Sequence, residues 1–171
     1  WQAADAFGSG EYQPERWEVL AMLVHQVERY HRGLDEMTGE EQANAEGRQR
    51  TLLSTIEWSH DLLSLDEQML FRRLGAFAAS FSLASVERVC SGDGIDDYDV
   101  TDLLMALVDK SMVATDSARD GTTRYILLET IREFARRMLD DARERELLVR
   151  RHAEHYADLA AQLQAQQRSG D

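Results

Sequence analysis

His152 and His155 stand three residues apart, a spacing that puts both imidazoles on one face of a helix and within reach of one metal ion. A closed metal site needs further ligands, and no other residue is held beside them by spacing. A helix face with one histidine tucked against the core explains the pair better, so no metal site is assigned. His60-Asp61 has the residue types of a base and its orienting acid, yet adjacent helical residues point apart. Cys90, the single cysteine, has no evident activating partner. No G-x-x-x-x-G-K-[ST] occurs, so these residues include no loop of that kind to cradle phosphates. The expectation is a non-catalytic chain with no catalytic, cofactor-binding or metal set.

The charges bear on a second chemistry, nucleic-acid binding. Net charge is −13 and the pI is about 4.8, which argue against a generic nucleic-acid or anionic-membrane surface. From Thr51 to Glu129, six Lys and Arg stand against fourteen Asp and Glu. Asp99, Asp102 and Asp109 share one predicted helix with a single lysine, Lys110, where a DNA reader would carry positive charge. This reading expects no nucleic-acid contact; the alternatives are a DNA-binding winged-helix domain of a transcription factor and a helical oligomerisation module. The first reading makes Asp99, Asp102 and Asp109 a candidate protein-docking face. From Thr130 onward eight charges of each sign alternate, as on a solvated, ion-paired face.

The elements that hold these residues follow from periodicity. Leu52, Ile56, Ser59 and Leu63 make one helical stripe, beside which Trp58 is expected to be buried. Ser64 and Glu67 have capping-box spacing. Met69, Leu70, Leu74 and Phe77 form the next buried face, with Arg72-Arg73 turned outward. Ser82 starts a third helix with Leu83, Val86 and Val89 inside, and Asp99 can cap a fourth built on Val100, Leu103, Leu104, Leu107 and Val108. Ser111–Thr115 and Thr123–Leu128 are rich in β-formers and flank a turn, which predicts a hairpin. A helix near Thr130 uses Ile131 and Phe134, and a last one begins near Glu144. Helices followed by a hairpin are the order of a winged helix. The fold class is mostly α, with helical extensions at both ends. Expected core anchors are Trp58, Phe71, Leu74, Phe77, Leu107 and Phe134.

Residues 1–47 read as a flexible lead-in and an amphipathic helix, 48–129 as the winged helix, and 130–171 as C-terminal helices. The seam Leu20, Leu23, Val27, Tyr30, Leu34 and Met37 suits a helical partner, including a second copy. Thr38–Gly47 is acidic, small and polar, and reads as a loop. One cysteine fits a reducing, cytoplasmic compartment, and no apolar run suggests a membrane span. The first residue, Trp1, suggests a piece of a longer protein.

Arg48-Gln49-Arg50-Thr51-Leu52, Ile56-Glu57-Trp58-Ser59-His60-Asp61-Leu62-Leu63 and Leu70-Phe71-Arg72-Arg73-Leu74 together resemble the winged-helix region of bacterial STAND signalling ATPases. Leu107-Val108-Asp109-Lys110-Ser111-Met112-Val113, Arg124–Ala135 and Arg150–Tyr156 extend the likeness, which covers about residues 48–163. The resemblance, to regulators with AfsR-like or LuxR-type output domains, implies a regulatory module. Such a module docks on a nucleotide-binding domain and on an output or helical-repeat domain. It also implies ATP or ADP for the parent protein. Relatives often carry a His-Asp pair at the end of the second wing strand; here Leu128-Glu129 stands there, and leucine cannot donate a hydrogen bond to phosphate.

Overall fold

The computed structural model describes residues 39–117 and 122–169, in two units that divide after Asp61. In the first unit, α1 spans Gly39–Asp61. The loop expected over Thr38–Gly47 is therefore helical from Gly39 onward. Glu40, Glu41, Gln42, Ala43, Ala45 and Glu46 are strong helix formers, and acids suit the positive end of a helix. Along α1, Leu52, Ile56 and Ser59 are buried, whereas Trp58 is 44% exposed. The expected core role of Trp58 does not hold: at about 100° per residue it falls off the stripe that Ile56 and Ser59 define. The seam from Leu20 to Met37 lies outside the described residues.

The second unit opens with α2 (Leu65–Leu74), which begins at the predicted capping box. The Ser64 N–H donates to Glu67 Oε2 at 2.7 Å, and the Glu67 N–H donates to Ser64 Oγ at 3.2 Å. Two amides that a helix start leaves without partners are thus satisfied. Leu70, Phe71 and Leu74 are buried, and Phe71 meets Phe134 at 6.0 Å between ring centroids. Next, α3 (Leu83–Cys90) starts at Ser82, whose Oγ accepts from the Ser85 N–H, and buries Val86 and Val89. Helix α4 (Val100–Asp109) buries Val100, Leu104 and Leu107. Asp99 precedes it but makes no side-chain cap, because its backbone is already helical.

Strands β1 (Ala114–Ser117) and β2 (Thr123–Ile126) pair antiparallel, with Ala114 opposite Ile126. The first starts later than its β-formers suggest. Met112 and Val113 both donate backbone N–H bonds to the Leu107 carbonyl, so they finish α4 instead. Phe81 pairs with Tyr125 through two backbone bonds of 2.9 and 2.8 Å, which adds a third edge to the hairpin. Helix α5 (Glu129–Asp141) buries Ile131, Phe134, Ala135 and Leu139. Helix α6 (Arg145–Ser169) follows a tight turn. In this unit α2 packs on α4 and α5, while α3 packs on α4 and α6. The fold is a mostly helical winged helix.

Gly75, after α2, is the closest approach of that layer to α5. A Cβ there would lie 2.8 Å from Arg136 N and 2.9 Å from Ala135 C, both backbone atoms. Gly75→Ala should therefore cost about 1–3 kcal/mol by forcing the helices apart. Trp58→Ala, at a half-open site, should cost only about 1 kcal/mol. Urea denaturation of the two variants should rank them in that order.

Candidate nucleic-acid interface

In a winged helix, the third helix of the core and the hairpin are the elements that meet DNA. Here these are α4 and the β1–β2 pair. Burial of Val100, Leu104 and Leu107 fixes which side of α4 turns outward. Asp99, Asp102 and Asp109 are all exposed on it, with Met105 between them and Tyr98 94% exposed just before it. Lys110 does not offset these acids. Its Nζ donates to both Glu67 carboxylate oxygens at 2.6 Å, tying the end of α4 to the start of α2. Burial pushes the Glu67 carboxyl up, but the Lys110 and Ser64 bonds outweigh it and leave it below the ordinary range.

Positive charge gathers instead beside the loop between α2 and α3. Three arginines donate to three carbonyls of that loop: Arg136 Nε to Gly75 at 3.2 Å, Arg132 Nη1 to Ala78 at 2.7 Å, and Arg124 Nη2 to Ser80 at 2.7 Å. Arg137 lies over the Phe134 ring at 5.0 Å. Burial, and then the neighbouring Arg136 charge, pull the Arg132 guanidinium below its ordinary range. The sequence pattern puts Arg132, Arg136 and Arg137 on a solvated, ion-paired face. Their i, i+4 and i, i+5 spacing in Arg132, Arg136 and Arg137 was a legible clue, but Arg124 comes from a distant strand.

The other candidates separate. His155 Nε2 lies 3.1 Å from Ser85 Oγ, whereas His152 sits between the Phe77 and Tyr156 rings, 5.3 and 4.6 Å from their centroids. Among the described residues no group of three His, Cys, Asp or Glu could hold a metal. His60 Nδ1 is 3.8 Å from Asp61 Oδ1, a distance too long for a working hydrogen bond. Cys90 is fully buried, and burial raises its thiol to about 12. Such a thiol is not a nucleophile. Phe71, Leu74, Phe77, Leu107 and Phe134 are buried. No helix among the described residues is long and apolar enough to cross a membrane.

The segment 63–140 matches the family model described as a winged helix-turn-helix domain. Over 116 residues the chain is 47% identical to proteins named putative HTH-type transcriptional regulators, from Mycobacterium bovis and Mycobacterium tuberculosis. That alignment covers 68% of this chain and 13% of those proteins. An uncharacterized protein of Mycobacterium bovis is 34% identical over 113 residues, covering 66% of this chain and 28% of that protein. No solved structure matches.

These findings overturn the expectation that this winged helix makes no nucleic-acid contact, because a helix-turn-helix domain with such relatives points to DNA. The tally of six against fourteen averages charge over the whole segment. Beyond a Debye length of roughly 10 Å exposed charges are screened, so the local arrangement decides.

His152 supplies a test of how α6 holds the winged helix-turn-helix domain. Burial, and then His155, lower its pKa from the ordinary value. The folded chain therefore binds this proton less readily than the unfolded chain, and stability falls as pH drops through about 6.5. Thermal midpoints should decline between about pH 7.5 and 5.5, and His152→Phe should flatten that decline.

Proposed function

We propose that this chain is the winged helix-turn-helix segment of a transcriptional regulator and that it contacts DNA. The match of residues 63–140, together with 47% identity to proteins named as such regulators, carries the reading. The hairpin and α4 support it as the elements that bring a winged helix to a duplex. The module holds no reaction chemistry of its own; its part is recognition and regulation. Since the chain spans about 13% of the regulators it matches, specific sequence reading belongs to the parent protein as a whole.

A second reading is favoured by one observation, the exposed acids of α4. In it the segment serves a STAND-type signalling ATPase regulator, whose nucleotide, ATP or ADP, is held outside this segment. Asp99, Asp102 and Asp109 then dock on a basic protein surface and help set the on or off state. The two readings are compatible when different faces serve them.

Fluorescence anisotropy with a mixed-sequence duplex tests the first reading. Binding should appear at low salt with Kd in the range of about 10⁻⁶–10⁻⁴ M and weaken steeply as salt rises. Absence of binding at low salt overturns it. Asp102→Lys with Asp109→Lys then separates the readings: DNA affinity rises about tenfold if α4 lies against phosphates, and is unchanged if α4 faces protein.

A further inference from the structure

The geometry points to a phosphate-backbone contact surface on an element other than α4, made by Arg124, Arg132 and Arg136 around the exposed Ala78-Ala79 loop. This inference rests on the DNA-contact reading and assigns the residues that would carry it.

Two features of the loop distinguish this surface from an ordinary ion-paired face. The first is charge. Three arginines, Arg124, Arg132 and Arg136, bond to this loop; of the glutamates on the same helix, Glu129 pairs with Arg132 and the field of Glu133 acts on it. In a chain of net charge −13, a local excess of cations is the exception.

The second is shape. The loop reads Gly75-Ala76-Phe77-Ala78-Ala79-Ser80, and Phe77 turns into the core, leaving Ala78 and Ala79 exposed. No long side chain stands in front of the guanidinium row at those two positions. A sugar-phosphate strand can approach the main chain closely there.

The carbonyl bonds serve this function and do not compete with it. A guanidinium has five N–H donors in a fixed fork. One bond from Arg136 to Gly75 and one from Arg124 to Ser80 orient each plane and leave most of its donors for other acceptors. Holding the side chains beforehand lowers the ordering cost of binding. Charge-assisted bonds to phosphate are then made by groups already in place.

The test uses the whole chain, a fluorescein-labelled mixed-sequence duplex and a series of salt concentrations. Arg124→Gln with Arg136→Gln should weaken binding about tenfold or more and make the log–log salt slope shallower by about 0.9 per lost contact. Arg136→Lys, which keeps the charge and cannot reproduce the planar fork, should recover much of the affinity. Glu133→Gln, a change at an exposed position, should tighten binding by about twofold to fivefold without touching the carbonyl bonds. Wild-type binding that none of these variants alters, each shown folded by circular dichroism, overturns the surface and leaves the DNA reading standing. A purely structural role predicts lowered melting temperature in the glutamine variants with an unchanged salt slope, and that too overturns it. A wild-type chain that binds no duplex at low salt overturns both.

Discussion

Arg73 is the interaction on which the second unit depends. Its side chain is wholly buried, against the outward position that its neighbour Arg72 and the helix pattern suggest. Nη1 donates to the carbonyls of Cys90 and Gly92 at 2.7 Å each, and Nη2 to the Asp93 carbonyl at 2.9 Å and Glu144 Oε1 at 3.2 Å. One side chain of α2 thereby fastens the end of α3, the loop toward α4, and the turn between α5 and α6. A buried cation without such partners would cost several kcal/mol. With them it costs far less, and it accepts only one arrangement of those three segments.

The backbone is shaped to make that arrangement. Gly92 and Gly94 have φ of +77° and +104°, and Asp93 has +48°, a run that swings consecutive carbonyls toward one point. On the other side, Arg143 at φ +58° ends α5 and delivers Glu144. Burial pushes the Glu144 carboxyl up, yet bonds from Arg72 and Arg73 prevail and hold it below the ordinary range. The winged-helix core and its following helices are therefore one electrostatic unit, tied at the turn from which α6 starts. From Ala157 onward its described side chains are exposed, and Leu159 and Leu163 face outward.

Most element starts were legible because local chemistry dictates them. Ser64 with Glu67, and Ser82 with Ser85, form caps from residues three apart, and the apolar faces of α2 to α5 follow the 3.6 period. What stayed hidden depends on residues far apart in sequence. Arg73 turns inward because carbonyls at 90–93 and an acid at 144 await it, and no window around α2 contains them. Asp99 looks like a cap, but its backbone geometry removes the role. The candidate surface was obscured for the same reason: Arg124 and Arg132 meet only when β2 and α5 fold against the 75–80 loop. A linear tally of charge cannot register such a meeting.

The two arginine-rich loops use one device at different depths, and the difference separates structure from interaction. At residues 90–93, Arg73 and Arg151 clasp main-chain carbonyls, and carboxylates complete the charge: Glu144 for Arg73, and Asp93 Oδ2 at 2.7 Å for Arg151. Arg72 and Arg73 share Glu144 while Arg151 takes Asp93, and the interior guanidinium is 0% exposed. At residues 75–80 the carbonyl bonds recur, Glu129 pairs with Arg132, and Ala78 and Ala79 of the loop are exposed. Burial, and only then the neighbouring Arg136 charge, lowers the Arg132 guanidinium there. The same bonding to main-chain carbonyls is buried at the first loop and lies beside the exposed Ala78 and Ala79 at the second, while α4 keeps an exposed acidic face on another element. DNA contact by an acidic chain requires no change of net charge, only this separation of its charges among different elements.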